Sequence, residues 1–488
     1  MKVLLSGYNL DSSTIDELKQ KSGWTKDNIT PETLSAAYAR ISRDPRDIEE
    51  LRKEAREEVD KSRKSNETII FGLGHSSVAE HAYFNFDIIG LSRFAVEQVQ
   101  KFRMASFTEK SQRYITLEDD FVVPKEIKSA GFENKFIELI KYQNVNYHIL
   151  YKALQEYLFG KHSDIISTKN GKRTVDGWAK EDARYVVSMA TESQFGMSIN
   201  ARNLENMLRQ LRNSELLECR ELSQKLYDLV KDISPSIIKY IEPTEYDKSN
   251  NRQIKEFLSN LKIKSTKKST KQVELADHTP EPDKKIAEII LSSLGGLSSA
   301  ASKGSVKGFD DKTLQNFYKT VFEKRTQHDP LKRYFEFADA TFDLIVSSSN
   351  YAQLKRHRVA SMLTDDYDIS LGFTIPENIK TIGMEDRFNE VMKATDDFYS
   401  ELLSHLPYHA QYALTNAHRR RVKLKMNFRE IYHFMSLRLD EHAQWDIRDT
   451  AQKMLIELIK IAPYSTMMCC GKSGFSKKSD KIFGQSQS

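Results

Sequence analysis

Two short stretches of this 488-residue chain resemble each other, and this internal repeat restricts the possible folds more than any other feature of the sequence. Lys101–Tyr114 has the sequence KFRMASFTEKSQRY, and Arg356–Asp368 has the sequence RHRVASMLTDDYD. Each stretch begins with a basic cluster, which is followed by a hydrophobic residue and Ala-Ser. Because duplicated segments form the same structural unit twice, the repeat predicts two domains of one fold.

The similarity continues on both sides of the motif. Ser347–Arg356 aligns with Ser92–Lys101, and Asn427-Phe428-Arg429 aligns with Asn200-Ala201-Arg202. The basic cluster and the asparagine are 97 positions apart in the first copy and 69 positions apart in the second. The first copy therefore contains an insertion, which we place in the Phe132–Val175 region.

Strand and helix patterns occur in the same chain. Alternation of apolar and polar residues in Ala82–Ile89 predicts a strand, whereas Phe132–Leu158 has the pattern of a helical hairpin. We predict an α+β fold with two homologous domains, each a small, mostly antiparallel sheet packed with helices. The predicted segments are a first domain (1–242), a mobile linker rich in proline and lysine (243–285), a second domain (286–470) and a disordered polar tail (471–488).

Composition excludes several classes of protein. The chain has 74 basic and 69 acidic residues, and this balance disfavours nucleic acid as a partner. No apolar stretch approaches the ~18 residues of a membrane span, and the N-terminus does not resemble a secretory signal. Three cysteines without a CxxC pair indicate a reducing compartment, so we expect a cytoplasmic protein. His75 and His81 cannot share one helical face, and no metal site is predicted.

The basic clusters and the polar run after them are typical of anion binding. Arg-His-Arg at 356–358 would suit a helix end that contacts an extended polyanion such as a dinucleotide pyrophosphate. In the first copy, Ser111 and Arg113 can reach one anion from the same side of an extended segment, with Arg184 as a third donor. The alternatives are a solvent-exposed basic turn and ordinary surface ion pairs.

Residues 426–448 have helical periodicity, and polar side chains interrupt their apolar stripe. These polar residues are Asn427, His433, Arg438, His442 and Arg448. A single one would usually be a satisfied core group, but five of them suggest a helix that lines a site.

The motifs together resemble those of the flavin-dependent thymidylate synthases, whose pattern is RHRxASxNExSxRY. Arg356-His357-Arg358 matches the start of this pattern in the second copy, and Ser111 follows Arg103 by the required eight positions in the first. Further matches in the first copy are Ala105, Ser106, Glu109, Arg113 and Tyr114. LRLDEHAQWDIR is similar to the family's LRLxxHAQWEIR, and GHSSVAEH to its GHxSxxEH. The resemblance covers roughly residues 70–230 and 325–460.

The resemblance implies a function for individual residues. FAD would be bound by Arg356, His357, Arg358, Asn427, Arg429 and His433. The substrate dUMP would be bound by Gln98, Glu109, Ser111, Arg113 and Arg184. Arg438 matches the arginine that polarises the uracil ring and is the predicted catalytic residue, because a cation there stabilises negative charge as C5 becomes nucleophilic. Methylenetetrahydrofolate would supply the carbon and NADPH the reducing equivalents, and no enzyme thiol is required.

The two copies depart from the family pattern at different places. The first has Lys101 and Phe102 where the family has Arg and His. The second has Thr364, Asp366 and Asp368 where Glu, Ser and Arg would bind dUMP. An aspartate repels a phosphate, so we expect a composite site in which the first copy binds phosphate and the second binds flavin and the ring.

The implied function is reductive methylation of dUMP to dTMP. Family members are homotetramers of about half this length with sites between subunits, so we expect a homodimer of this fused chain. The alternatives are a related transfer to C5 of another pyrimidine nucleotide and a paralogue that binds nucleotide without turnover.

Overall fold

The computed structural model describes residues 1–20, 29–41, 44–113, 115, 117, 119–261 and 269–484. The chain divides into two compact units. Unit 1 comprises Met1–Thr266 and Ile382–Leu414, and unit 2 comprises Lys267–Thr381 and Thr415–Ser488.

Eight strands and twenty α-helices are present in the described residues. The strands are β1 Lys2–Tyr8, β2 Tyr83–Ser92, β3 Ala105–Glu109, β4 Glu192–Asn200, β5 Val273–His278, β6 Asp339–Ser347, β7 Ser361–Tyr367 and β8 Arg419–Asn427. The helices are α1 Ser12–Gln20, α2 Glu32–Arg40, α3 Ile48–Glu57, α4 Val59–Glu67, α5 Arg93–Gln100, α6 Lys125–Ser129, α7 Glu133–Lys161, α8 Lys169–Ala183, α9 Ala201–Arg212, α10 Leu217–Val230, α11 Glu245–Asn260, α12 Pro282–Leu294, α13 Ser299–Lys307, α14 Asp311–Phe322, α15 Ser348–Leu354, α16 Glu377–Thr381, α17 Glu385–Leu403, α18 Phe428–Arg438, α19 Trp445–Ile461 and α20 Phe475–Phe483.

The sheet of unit 1 is antiparallel and has the strand order β1-β2-β4-β3. Its central strands bury alternate residues, because one face of the sheet packs on helices and the other does not. The alternating buried hydrophobic residues of β2 and β4 include Phe84, Phe86, Ile88, Phe195, Met197 and Ile199. The sequence pattern Ala82–Ile89 therefore predicted a strand correctly, although the strand extends to Ser92.

The sheet of unit 2 repeats this design with the order β5-β6-β8-β7, again antiparallel. Asn200 pairs with the first residue of β2, and Asn427 pairs with the first residue of β6. The pairing shifts once in β2 between Ile89 and Leu91, where Gly90 adopts a φ of +78°. Gly90 is thus an extra residue in the first copy, which a β-bulge accommodates. The predicted α+β fold with two homologous domains is confirmed.

The core of unit 2 contains a cluster of aromatic rings beneath the sheet. Phe322 lies 5.8 Å from Phe335 and 5.7 Å from Tyr432, measured between ring centroids. Tyr432 projects from α18, and its hydroxyl donates a hydrogen bond to the Ser465 carbonyl at 2.8 Å. This packing holds α18 against the sheet, and α18 bears several of the predicted site residues.

The unit boundaries differ from the predicted domain boundaries. The predicted linker contains α11, which begins with a capping box of Thr244 and Asp247, and it also contains β5. Most of its lysine-rich run, 262–268, lies outside the described residues. The predicted tail forms α20, while 485–488 lie outside the described residues. Capping and strand pairing are the local reasons for order in these polar segments.

The insertion in the first copy has a structural counterpart. The long helix α7 has 29 residues, whereas its counterpart α17 has 19. After α7 the first copy adds α8, for which the second copy has no equivalent among its described residues. The extra helix supplies side chains to the candidate site described next.

Candidate functional site

The polar run of the first copy begins at the end of β3. Glu109 pairs with Phe195 of β4, and its carboxylate accepts hydrogen bonds from Gln100 Nε2 at 3.0 Å and Ser193 Oγ at 3.1 Å. Gln98 lies on α5, and its Oε1 accepts a hydrogen bond from Lys101 Nζ at 3.2 Å. The predicted substrate residues Gln98 and Glu109 therefore lie on consecutive elements of unit 1, and each side chain is hydrogen-bonded to partners of its own.

The predicted phosphate ligands follow Glu109 directly. Ser111 Oγ accepts a hydrogen bond from the Arg113 backbone N–H at 3.2 Å, which closes a tight turn. The Arg113 guanidinium donates from Nε to Glu181 Oε2 on α8. Tyr114 of the motif lies outside the described residues. The sequence predicted an extended segment here, whereas the Ser111 hydroxyl holds the Arg113 backbone in a turn.

Arg184 lies just beyond α8 and is buried. Burial lowers the pKa of its guanidinium, the carboxylate of Glu181 raises it, and the guanidinium groups of Arg93 and Arg113 lower it further. The guanidinium groups of Arg93 and Arg113 and the carboxylate of Glu181 therefore all act on Arg184. Such a cluster is suited to a doubly charged anion, because an incoming phosphate would relieve the repulsion between the guanidinium groups.

Arg93 is the member of this cluster that sequence reasoning missed. It is the first residue of α5, it is only 5% exposed, and its backbone N–H donates to the Thr191 carbonyl at 2.9 Å. The available signal was an arginine at the start of the helix RFAVEQV, next to the apolar residues Phe94, Ala95 and Val96. Position 93 corresponds to Ser348 in the second copy, so the repeat gave no indication of a shared function.

In unit 2 the Arg-His-Arg motif follows the end of α15, and its side chains diverge. His357 is buried, whereas Arg356 and Arg358 are exposed. His357 Nδ1 lies 3.1 Å from Glu430 Oε1, and Arg438 Nε donates to His357 Nε2 at 2.9 Å. The structure therefore brings His357 to the predicted catalytic residue, and the outer arginines face solvent.

Arg438 is the last residue of α18 and has further partners. Its Nη2 donates to the Gln353 carbonyl oxygen at 3.0 Å, and its Nη1 to Gln353 Oε1 at 3.4 Å. Gln444 accepts from Gln353 Nε2 at 3.4 Å and caps α19. The helix predicted over residues 426–448 is thus two helices separated by a turn, because the Gln444 side chain starts a new helix. His442 lies in that turn, with an 86% exposed side chain.

A groove of about 790 Å³ lies in unit 2 beside β8 and α18. Acidic and apolar side chains such as Glu336, Glu430 and Leu331 contribute to its lining. The cationic and polar members include Arg325, Arg333, Asn427, Arg429, His433 and Lys472. Three of these, Asn427, Arg429 and His433, are predicted flavin ligands. The sequence did not single out the other three, because they come from a loop and a tail that the repeat does not match closely.

Two of the groove residues also have structural functions. Asn427 Oδ1 accepts from the Glu430 N–H at 2.9 Å and caps α18, as Asn200 caps α9 in the first copy. Arg429 Nη1 donates to Glu336 Oε1 at 2.7 Å, and Arg202 pairs with Glu80 in the same way. These contacts preserve the geometry of both copies.

In the second copy, an arginine side chain occupies the region that corresponds to the Ser111–Arg113 turn. Arg420 stands where the first copy has Ser193, and its guanidinium lies 4.9 Å from the ring centroid of Tyr351 and 4.3 Å from that of Tyr367. Its Nε and Nη2 donate to the Asp365 carbonyl at 2.9 and 2.6 Å. A protein cation sandwiched between two rings occupies this position, where the first copy has a small hydroxyl.

Two kinds of feature are absent from the residues that the structure describes: membrane-spanning helices and metal-binding clusters. In those ranges no helix combines the length and apolar character needed to cross a membrane. The same part of the chain contains no cluster of three or more His, Cys, Asp or Glu side chains arranged to hold a metal ion.

The fold and these residues define a duplicated α+β protein with an arginine cluster in one repeat and, in the other, an arginine–histidine pair and a groove. The sequence model of the family described as "Thymidylate synthase complementing protein" matches residues 26–236 and, a second time, 274–464. The chain belongs to this family, and its two matched segments fit a tandem duplication.

The chain is also similar to individual proteins. A flavin-dependent thymidylate synthase of Clostridium tetani is 30% identical over 219 residues, which are 44% of this chain and 83% of the relative. A UPF0159 protein of Chlamydia muridarum is 22% identical over 413 residues, or 81% of this chain and 78% of that protein. A solved structure of thymidylate synthase X from Helicobacter pylori with FAD and dUMP covers 51% of this chain and all of its own, at 21% identity and a TM-score of 0.31.

Proposed function

We propose that this chain is an FAD-dependent thymidylate synthase that methylates dUMP to dTMP, with methylenetetrahydrofolate as carbon donor and NADPH as reductant. The phosphate of dUMP would be bound in unit 1 by Ser111, Arg113 and Arg184, with Gln98 and Glu109 as further contacts. Arg438 would polarise the pyrimidine ring. Membership in the family and the similarity to the Clostridium tetani enzyme support this function.

The proposal that the two repeats divide the chemistry rests on a difference between their matching turns. The first copy keeps three arginines around its turn, and the second places Arg420 between two tyrosine rings at the matching turn. Conversely, His357, Glu430 and Arg438 form a connected set in unit 2. Each copy thus retains the part of the chemistry that the other has lost.

The groove of unit 2 fits a flavin dinucleotide in its chemistry. Arg325, Arg429 and Lys472 supply the positive charge that a pyrophosphate requires, and Asn427 and His433 supply neutral polar groups. Arg356 and Arg358 are exposed. They would contact outer parts of the cofactor. Bound FAD would supply the reducing equivalents. Arg438 would stabilise the negative charge that develops on the ring, an effect of several kcal/mol in a water-excluded site.

A direct assay with two single variants tests this function. The purified protein should take up FAD and form dTMP from dUMP, whereas Arg113→Ala and Arg438→Ala should each lose nearly all turnover. Arg113→Ala should raise KM for dUMP, and Arg438→Ala should mainly lower kcat. Lys239→Ala, which changes an exposed cation elsewhere in unit 1, serves as the control. A protein that neither binds FAD nor forms dTMP would contradict the proposal, and product from dCMP in place of dUMP would identify the related C5 transfer.

A further inference from the structure

His357 connects a carboxylate to the predicted catalytic arginine. An arginine side chain has only donors, so the Nε–H of Arg438 at 2.9 Å requires that His357 Nε2 accept. The neutral imidazole then has its proton on Nδ1, which donates to Glu430 Oε1 at 3.1 Å. The contacts define one tautomer and one direction for the chain Glu430–His357–Arg438.

We infer that Glu430 and His357 are positioning residues, which fix the orientation of the Arg438 guanidinium, and that His357 does not itself contact the flavin. This inference rests on the proposed function, because it concerns the residue that would polarise the pyrimidine ring. It changes the function that the motif implied for His357 from cofactor binding to support of an arginine.

The surroundings of His357 favour this function. The residue is 4% exposed, and both ring nitrogens have protein partners. Its ring lies 4.8 Å from that of Phe434 and 5.8 Å from that of His433. A buried ring with both nitrogens engaged has no polar atom left for a cofactor, whereas His433 lines the groove.

Comparison of the two copies provides independent support. Counted from the matched asparagines, Glu430 corresponds to Asn203 and Arg438 to Leu211, and the motif aligns His357 with Phe102. The first copy has therefore replaced all three members together. It keeps Gln98 at the position of Gln353, so the whole region has not simply diverged. Joint replacement is expected if the three residues act as one unit.

The arrangement also predicts a pH dependence. Burial lowers the pKa of His357, Glu430 raises it, and the neighbouring Arg438 and His433 lower it, with a net downward shift. Protonation would put a hydrogen on Nε2, directly opposite the donor of Arg438. His357 is thus neutral above the ordinary histidine pKa of about 6.5, and it becomes protonated as the pH falls toward its own lowered pKa. We expect kcat to decline on the acid side below about pH 6.5.

Two substitutions at Glu430 separate positioning from charge. Glu430→Gln keeps a side-chain oxygen that can accept from Nδ1–H, so the tautomer and kcat should stay close to those of the unsubstituted protein. Glu430→Leu removes the acceptor, which frees the imidazole to adopt the Nε2–H form and turn a donor toward Arg438. We expect kcat to fall by roughly 10²-fold with little change in KM for dUMP, because a small misplacement of a catalytic group has that effect.

The tautomer can be measured without any activity. Nitrogen-15 spectra of histidine-labelled protein, with His357→Gln to assign the signal, should show Nε2 unprotonated in the unsubstituted protein and in Glu430→Gln, and protonated in Glu430→Leu. Glu336→Leu, which removes the carboxylate partner of another groove arginine, should leave the His357 signal unchanged. A protonated Nε2 in the unsubstituted protein, or an unchanged tautomer in Glu430→Leu, would overturn the inference. Because this measurement needs no turnover, it remains decisive if the proposed reaction is wrong.

Discussion

At the scale of single residues, one strand position distinguishes the region around the Ser111–Arg113 turn from the matching region of the second copy. Ser193 in β4 hydrogen-bonds Glu109, whereas the matching Arg420 in β8 stacks on two tyrosines and donates to a backbone carbonyl. Such stacking is strong when the cation is shielded from water, and Arg420 is only 4% exposed. The same strand position thus places a small hydroxyl beside a predicted substrate residue in one copy and a buried, stacked cation in the other.

Replacement of Arg420 should therefore affect stability and not nucleotide binding. Arg420→Ala removes two ring contacts and two hydrogen bonds, which should lower the free energy of unfolding of unit 2 by about 2–4 kcal/mol. Urea unfolding monitored by a probe in unit 2, together with a dUMP titration, measures both effects. Arg113→Ala is the matched comparison, because it should weaken dUMP binding with a smaller loss of stability. If Arg420→Ala weakened dUMP binding as much as Arg113→Ala does, Arg420 would also be a ligand.

The residues that sequence could identify are those whose chemistry is local. Ser111 and Arg113 are two positions apart, and they lie together in one turn where the sequence predicted an extended segment. The function of His357 depends on Glu430, which lies 73 positions away, and on Arg438, which lies 81 away. No local pattern contains such a long-range contact, and a motif alone suggested cofactor binding for the histidine. The roles of all these residues in catalysis stay predictions.

At the scale of elements, the segment 382–414 is grouped differently from its place in the repeat. α17 packs in unit 1, where Gln143 of α7 donates to Thr395 Oγ1 at 2.9 Å and to the Ala413 carbonyl at 3.0 Å. Tyr412 donates to Glu218 at 2.9 Å. The repeat predicts which helices exist, but buried polar contacts determine which unit a helix joins.

The contact between Tyr412 and Glu218 offers a test of this grouping. Burial raises the pKa of Glu218, and hydrogen bonds from Ser92 and Tyr412 oppose the rise. A carboxyl with a raised pKa is least costly when protonated, so its ionised form becomes unfavourable as the pH rises through that pKa. Tyr412→Phe removes one donor and should lower the stability of unit 1 by about 1–3 kcal/mol at neutral pH, with a smaller loss in acid.

Hydrogen exchange locates the effect of Tyr412→Phe. Backbone amides of 385–413 should lose protection together with those of α7 and α10, while β6 and β8 keep theirs. Tyr408→Phe, which removes an exposed hydroxyl from the same segment, is the control. Loss of protection confined to β6 and β8 would place this segment with unit 2 and contradict the grouping.

At the scale of the whole molecule, the duplication was the most predictable property. Both sheets have the same strand order, and the matched asparagines occupy the same place in each register. The sequence showed this because strand pairing preserves spacing, even where one copy adds Gly90 or the whole of α8. Unit boundaries were less predictable, since polar segments such as 245–260 are ordered by caps that composition does not reveal.

The unequal copies predict how many nucleotides one chain binds. If the arginine cluster of unit 1 is the phosphate site and Arg420 closes its counterpart, equilibrium dialysis should give one dUMP per chain. Arg113→Ala should raise the Kd by about 10–100-fold, because loss of a charge-assisted contact costs about 1.5–3 kcal/mol. Arg420→Ala should leave the stoichiometry at one, since Asp366 and Asp368 still repel a phosphate. Two equivalent dUMP sites per chain would mean that the second copy binds nucleotide through other residues, and the division of chemistry between the repeats would be wrong.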